Sequence, residues 1–168
     1  MQNTENTKNY SKFFPYESIR DAQSEAIDFA LDAFLNQGKR FVVLEAGTGV
    51  GKSAIGFTIS QYYNNHVRGN GTYYLTTQKV LQEQYMRDFK ARGMLNLQSS
   101  TNFQCKYYKQ KTCAMARREM ECTQDNRFKQ SCGGTGCRYR KAKQDFMDGH
   151  NGVTNFSYFL AETYYSQQ

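Results

Sequence analysis

The sequence predicts an α/β fold with a parallel sheet flanked by helices, and three observations predict it. An apolar run, Phe41-Val42-Val43-Leu44, leads into Ala46-Gly47-Thr48-Gly49-Val50-Gly51-Lys52-Ser53, a glycine-rich turn that opens onto a helical stretch. A second β-rich run, Thr72-Tyr73-Tyr74-Leu75-Thr76, follows that stretch, so strand, crossover helix and strand give a βαβ unit. Helical and β-like patterns alternate again over Gln78–Leu97 and from Arg138 to Tyr165.

The elements follow in order. Residues 1–12 are polar and expected to be disordered. Ser18-Ile19-Arg20-Asp21 opens a helix on which Ala22, Ala26, Ala30 and Phe34 recur, with Ile27 and Leu31 widening the apolar face. Gly38 lies just past the last periodic residue and stops it. Residues 40–45 form the strand that feeds the glycine turn, and the helix after it runs from Lys52 to about Tyr63. Strand 72–76 precedes a helix over Gln78–Ala91, with Leu81, Tyr85 and Phe89 on one face. Met94 to Leu97 is a short strand. Beyond Thr101 the periodicity fades, and Gly133-Gly134-Thr135-Gly136 marks a tight turn. Order resumes with a helix over Arg138–Met147, a β-like Gly152-Val153-Thr154-Asn155 and a last helix over Phe156–Tyr165.

The glycine turn has the chemistry of a triphosphate cradle. Glycines let backbone N–H groups converge on phosphate oxygens, and the helix N-terminus adds a partial positive charge. Lys52 would reach the β- and γ-phosphates, and the Ser53 hydroxyl would complete a Mg²⁺ shell; these two are the candidate catalytic residues. One departure is that Ala46 stands where the general pattern has Gly. Upstream, Arg20 and Gln23 lie where an adenine could sit, and a Gln amide suits its edge. At the carboxyl end of the second strand, Thr76, Thr77, Gln78 and Lys79 suit the phosphates of a nucleic acid, and simple helix capping by Thr77 explains them equally well.

The chain has 168 residues and a net charge of +7, with one Pro and no Trp. Eleven Lys and Arg fall between Gln104 and Lys143 against three acids, Glu119, Glu121 and Asp125, so that stretch carries all the excess positive charge. A polyanion such as nucleic acid is the natural partner. All five cysteines, Cys105, Cys113, Cys122, Cys132 and Cys137, occupy the same stretch. With an odd count and no secretory signal, a metal or iron–sulfur centre is a better reading than disulfides. Only Cys132 and Cys137 have zinc-like spacing, so spacing alone selects no metal. Phe103, Tyr107 and Tyr108 could stack on bases or form a small core, and His66 and His150 receive no role. No apolar run approaches the about 20 residues that span a bilayer. A soluble, cytoplasmic protein (nuclear in a eukaryote) is expected.

Taken together, these blocks resemble the iron–sulfur helicases of superfamily 2, the XPD/DinG family. The likeness rests on Phe14-Pro15-Tyr16 with Arg20-x-x-Gln23, on Glu45-Ala46-Gly47-Thr48-Gly49-Val50-Gly51-Lys52-Ser53, and on Leu75-Thr76-Thr77-Gln78-Lys79-x-Leu81-x-Glu83-Gln84. It continues through Asn102-Phe103-Gln104-Cys105, Cys137-Arg138-Tyr139 and Val153-Thr154-Asn155-Phe156-x-Tyr158-x-Leu160. Ala46 fits this family. The resemblance implies a RecA-like P-loop NTPase motor domain that couples ATP hydrolysis, with Mg²⁺, to movement along single-stranded or forked DNA, usually 5′→3′. It also implies a [4Fe–4S] insert, with Cys105 as first ligand, Cys113 (or Cys122) as second, Cys132 as third and Cys137 as last. Residues 13–100 would be the first part of the motor domain, 101–140 the insert, and 141–168 the return to the motor.

The family's next motif is an Asp-Glu-x-His box, and no Asp-Glu pair occurs in these residues. The chain is therefore expected to be the N-terminal part of a motor, monomeric and completed by the remainder of its polypeptide, without unwinding activity by itself. Two alternatives stay open: a stand-alone nucleic-acid-binding module with a degenerate motor fold, and a zinc-binding P-loop protein.

Overall fold

A computed structural model describes residues 7–67, 71–119 and 137–165. The chain divides into two compact units, Met1–Asn70 and Gly71–Gln168.

In the first unit, Thr7–Phe13 form a 3-10 helix, which corrects the expected disorder up to residue 12; residues 1–6 lie outside the described residues. Tyr10 and Phe14 are the reason. Both rings are buried in a core with Ile27, Leu31, Ala54, Ile55 and Tyr62, and each large apolar side chain removed from water contributes about 1.5–3 kcal/mol. Helix α1 spans Asp21–Leu35, and Gly38 lies just beyond it at φ +63. Its buried stripe is Gln23, Ile27, Ala30, Leu31 and Ala33, rotated from the expected face, so Ala22 is exposed and Phe34 is half-buried against Tyr63. Helix α2 spans Lys52–His66 and continues past Tyr63, where the stacked rings of Tyr62 and His66 (centroids 3.9 Å apart) pack its last turn.

The strand expected over residues 40–45 does not form. These residues adopt no regular structure, and Phe41 and Val43 are 85% and 89% exposed. The run has the composition of a buried parallel strand. Among the described residues no strand pairs with it, and β-propensity has no effect without a neighbouring strand to pack against.

The second unit holds the parallel sheet. Strands β1 (Thr72–Thr76), β2 (Met94–Leu97) and β3 (Asn151–Asn155) have the order β1-β3-β2. Thr72 pairs with Asn151 and Thr76 with Asn155, while Met94 pairs with Asn151 and Leu97 with Thr154. The last strand in sequence is thus the central one, and Asn151 through Thr154 are all buried. Helix α3 (Lys79–Phe89) continues into a 3-10 turn, Lys90–Arg92. Its buried residues are Gln82 and Phe89, whereas Leu81 is 38% exposed, another rotation of the expected face.

Helices α4 (Cys113–Glu119), α5 (Arg138–Asp148) and α6 (Phe156–Tyr165) complete the unit. Successive strand residues point to opposite faces. Tyr74 meets Tyr85 of α3, whereas Tyr73 meets Phe146 of α5 and Phe159 of α6. Helices therefore cover both faces of the sheet, as expected for part of a RecA-like domain.

Candidate functional site

The phosphate loop lies in the first unit, between the irregular run 41–45 and the start of α2. Gly51 caps α2 at φ +88, ψ +41, a left-handed conformation that side chains other than hydrogen adopt at a cost. A Cβ there would stand 2.6 Å from Gln23 Nε2. The turn and the residues of α1 therefore fit each other at that point.

Three side chains hold the loop, and each donates to carbonyl oxygens. Arg20 Nη2 donates to the carbonyls of Gly49 (3.1 Å) and Val50 (2.8 Å). Gln23 Nε2 donates to the Val50 carbonyl at 2.8 Å, and Lys52 Nζ to those of Ala46 and Gly47 at 2.9 Å each. These contacts spare the loop's amide N–H groups, which are the anion-binding half of a phosphate loop.

Gln23 is 3% exposed, and its Oε1 accepts the Arg20 backbone N–H at 3.0 Å. Both polar atoms of its amide thus serve the loop and the helix start. These bonds to the loop and the helix start are not foreseen in the sequence, where Arg20 and Gln23 are expected only at the adenine edge. A signal for the one at the helix start was present: Arg20-x-x-Gln23 has the spacing at which a third helical residue reaches back to the capping residue.

The segment Thr76–Lys79 lies at the carboxyl end of β1 in the second unit. Thr76 Oγ1 donates to the Gln78 carbonyl at 3.2 Å, and the Thr77 carbonyl accepts Asn155 Nδ2 at 3.1 Å. Lys79 Nζ donates to Asn102 Oδ1 at 3.0 Å. The Asn155 carboxamide oxygen also caps α6 by accepting the Ser157 N–H at 2.9 Å. Thr77 and Gln78 are exposed.

Of the cysteines, Cys105, Cys113 and Cys137 are buried and make no disulfide. Cys122, Cys132 and the turn at residues 133–136 lie outside the described residues. Cys105 Sγ accepts the Tyr108 N–H at 3.3 Å, and Cys137 Sγ accepts the Arg140 N–H at 3.5 Å, capping α5. Among the described residues no three Cys, His, Asp or Glu side chains group closely enough to hold a metal ion. Cys113 and Cys137 share an apolar cluster with Leu97, Tyr139 and Phe146, against which Phe103 and Tyr108 pack. Those two rings are half-buried against it, while Tyr107 is 39% exposed. Around them Lys106, Lys109, Arg117, Arg118, Arg138 and Arg140 are exposed.

A three-stranded parallel sheet with helices on both faces is consistent with part of a RecA-like helicase domain. The chain belongs to the family of the type III restriction enzyme res subunit, which matches residues 17–147 and is a helicase-type ATPase domain of superfamily 2. No curated protein and no solved structure matches the chain. The family implies ATP and Mg²⁺ as ligands and suggests nucleic acid as the partner. Among the described residues no helix is long and apolar enough to cross a membrane.

Proposed function

We propose that the chain is the ATP-binding part of a DNA helicase of the XPD/DinG type, in which residues 101–140 carry a [4Fe–4S] insert and the motor runs 5′→3′. Residues 13–100 and 141–168 supply the motor domain in this reading. The loop Ala46–Ser53 binds the nucleotide phosphates, with Lys52 released from the Ala46 and Gly47 carbonyls to meet them. Ser53 supplies a hydroxyl to Mg²⁺. Arg20 and Gln23 shape the loop from α1, and the exposed Arg20 guanidinium faces the nucleotide. Thr76, Thr77, Gln78 and Lys79 hold the DNA backbone.

One observation carries the helicase type. The Cys105 and Cys137 sulfurs, each accepting a backbone N–H from the residue three positions on, stand in a segment rich in exposed cations. That combination suits a sulfur-ligated centre held beside a nucleic acid. Cys105, Cys113, Cys132 and Cys137 would hold the cluster, which would brace the insert against the duplex.

The test is purification of the 168-residue chain without oxygen. Iron and acid-labile sulfide in equal amounts support the reading, and their loss in Cys105→Ser and Cys137→Ser assigns the ligands. A colourless protein containing zinc would move the chain to the zinc-binding P-loop alternative.

A further inference from the structure

The apolar run before the phosphate loop stands open along its length. Phe41, Val43 and Leu44 are 85%, 89% and 37% exposed, and Arg40 and Glu45 at its ends are exposed as well. Among the described residues, no backbone N–H or carbonyl of residues 40–45 makes a hydrogen bond. A β-forming run that combines free backbone groups with exposed apolar side chains is a template for pairing with another strand. Phe41 and Val43 are far more exposed than Val42 and Leu44, the alternation of a strand with one open face.

Charge decides which strand fits. A parallel, in-register copy of the run would set Lys39 against Lys39 and Glu45 against Glu45, and like charges directly opposite each other are destabilising. Two antiparallel copies related by a two-fold axis must centre their register on a residue, because opposite residues share a face of the ribbon. Centring on Val42 sets Phe41 opposite Val43 of the second copy and Lys39 opposite its Glu45. Centring on Val43 sets Phe41 opposite the Glu45 carboxylate instead. The Val42 register thus gathers both Phe41 and both Val43 side chains on one face and closes each end with a Lys39–Glu45 pair.

Hydrogen bonding agrees with that register. The Lys39 N–H is already donated to the Ala33 carbonyl at 2.9 Å. The ladder that leaves this bond in place runs through Arg40, Val42 and Leu44, whose backbone groups are free for it. Phe41 with Val43, and Lys39 with Glu45, then become the non-hydrogen-bonded pairs, whose side chains lie closest.

We infer that residues 39–45 of two copies pair as an antiparallel β-ribbon centred on Val42, so that the chain forms a two-fold homodimer through the approach to its phosphate loop. Each copy gives the other the neighbouring strand that this run lacks among the described residues. A ribbon of this length falls short of the roughly 20–30 residues a side of a standard interface, so the dimer is weak and reversible. Its formation requires no nucleotide, cluster or nucleic acid, and it goes beyond the helicase reading.

The experiment is sedimentation velocity of the full chain at low ionic strength with its thiols kept reduced, from about 1 μM to about 1 mM. A monomer–dimer equilibrium is expected. Val43→Lys places a charge at the centre of the apolar face and should leave the chain monomeric throughout. Val43 is 89% exposed, so the melting temperature of the monomer should not change. Lys39→Glu and Glu45→Lys each set like charges opposite one another and should weaken the dimer about tenfold. Both exchanges in one chain should restore the native affinity, which distinguishes a facing pair from a simple loss of charge.

A native chain that stays monomeric over the whole range overturns the ribbon. Association that Val43→Lys leaves intact also overturns it, because the contact would then lie on another surface. So does a double exchange that associates no better than either single one. Growth beyond the dimer counts against it as well, since a two-fold pair closes on itself.

Discussion

Gln23 Nε2 donates to the Val50 carbonyl at 2.8 Å while its Oε1 accepts the Arg20 N–H at 3.0 Å, so one buried amide ties the start of α1 to the phosphate loop. Truncating that amide leaves the Arg20 N–H without its side-chain acceptor and takes from the Val50 carbonyl one of its two side-chain donors, Arg20 Nη2 being the other. Gln23→Ala should cost about 1–3 kcal/mol of stability and weaken Mg·ATP binding because the loop loses its brace. Arg20 is exposed, so Arg20→Ala should weaken nucleotide binding with little change in melting temperature. Denaturant titration and calorimetric binding on the same samples separate the two effects.

Gly49 and Gly51 provide a matched pair. Both have positive φ, +79 and +88, but a Cβ at Gly49 meets nothing within 4 Å, whereas one at Gly51 falls 2.6 Å from Gln23 Nε2. Gly49→Ala therefore carries only the conformational cost of about 1 kcal/mol. Gly51→Ala adds a clash with the buried brace and should be the more destabilising by urea denaturation. Equal costs would show that the contact with Gln23 is unimportant.

How far the sequence alone reached depends on whether a signal was local. The turn at Gly47–Gly51 and the helix Phe156–Tyr165 were legible because glycine spacing and helical periodicity lie within a few residues of each other. The sheet was less so. Strands 72–76, 94–97 and 151–155 were each visible, but nothing local shows that β3, last in sequence, lies between the other two. Residues 41–44 mislead in the opposite sense, since four apolar residues look like a strand whether or not a neighbour pairs with them. Gln82 was hidden among the surface-like residues of α3, because burial of a polar side chain depends on what packs around the helix. The contact of Arg20 and Gln23 with the loop carbonyls was not legible, because it depends on how α1 packs against a turn some 27 residues further along the chain.

A third prediction concerns acid. Tyr158 and Tyr139 hydroxyls lie 2.7 Å apart, Tyr139 donates to Glu162 at 3.1 Å, and Lys143 pairs with the same carboxylate. Burial by itself would raise the Glu162 carboxyl, but the bonds from Lys143, Tyr158 and Tyr139 together hold it below its ordinary value of 4.5. The unfolded chain then binds the proton first, so this contribution is complete above that value and is lost as pH falls through the lowered one. Melting temperatures below the ordinary carboxylate range should fall less steeply for Glu162→Gln than for the native chain. Burial also raises the Tyr158 hydroxyl, with the Tyr139 bond adding to the effect, so Tyr158 should remain protonated through the alkaline range accessible to the folded protein.

A fourth prediction follows from the acids. No Asp-Glu pair occurs in the 168 residues, and in the proposed function an Asp-Glu-x-His box is what positions the attacking water beside Mg²⁺. The isolated chain should bind Mg·ATP and turn it over negligibly, with or without single-stranded DNA. Phosphate release from the purified chain measures this, with Lys52→Ala as the control for contaminating ATPases.

The most direct test of the account is equilibrium binding of Mg·ATP to the native chain and to Lys52→Ala. The loop geometry predicts saturable binding by the native chain and an affinity at least about tenfold lower in the variant, equivalent to about 1.4 kcal/mol. Equal affinities, or no binding by a folded native chain, would contradict the assignment of Ala46–Ser53 as the nucleotide site.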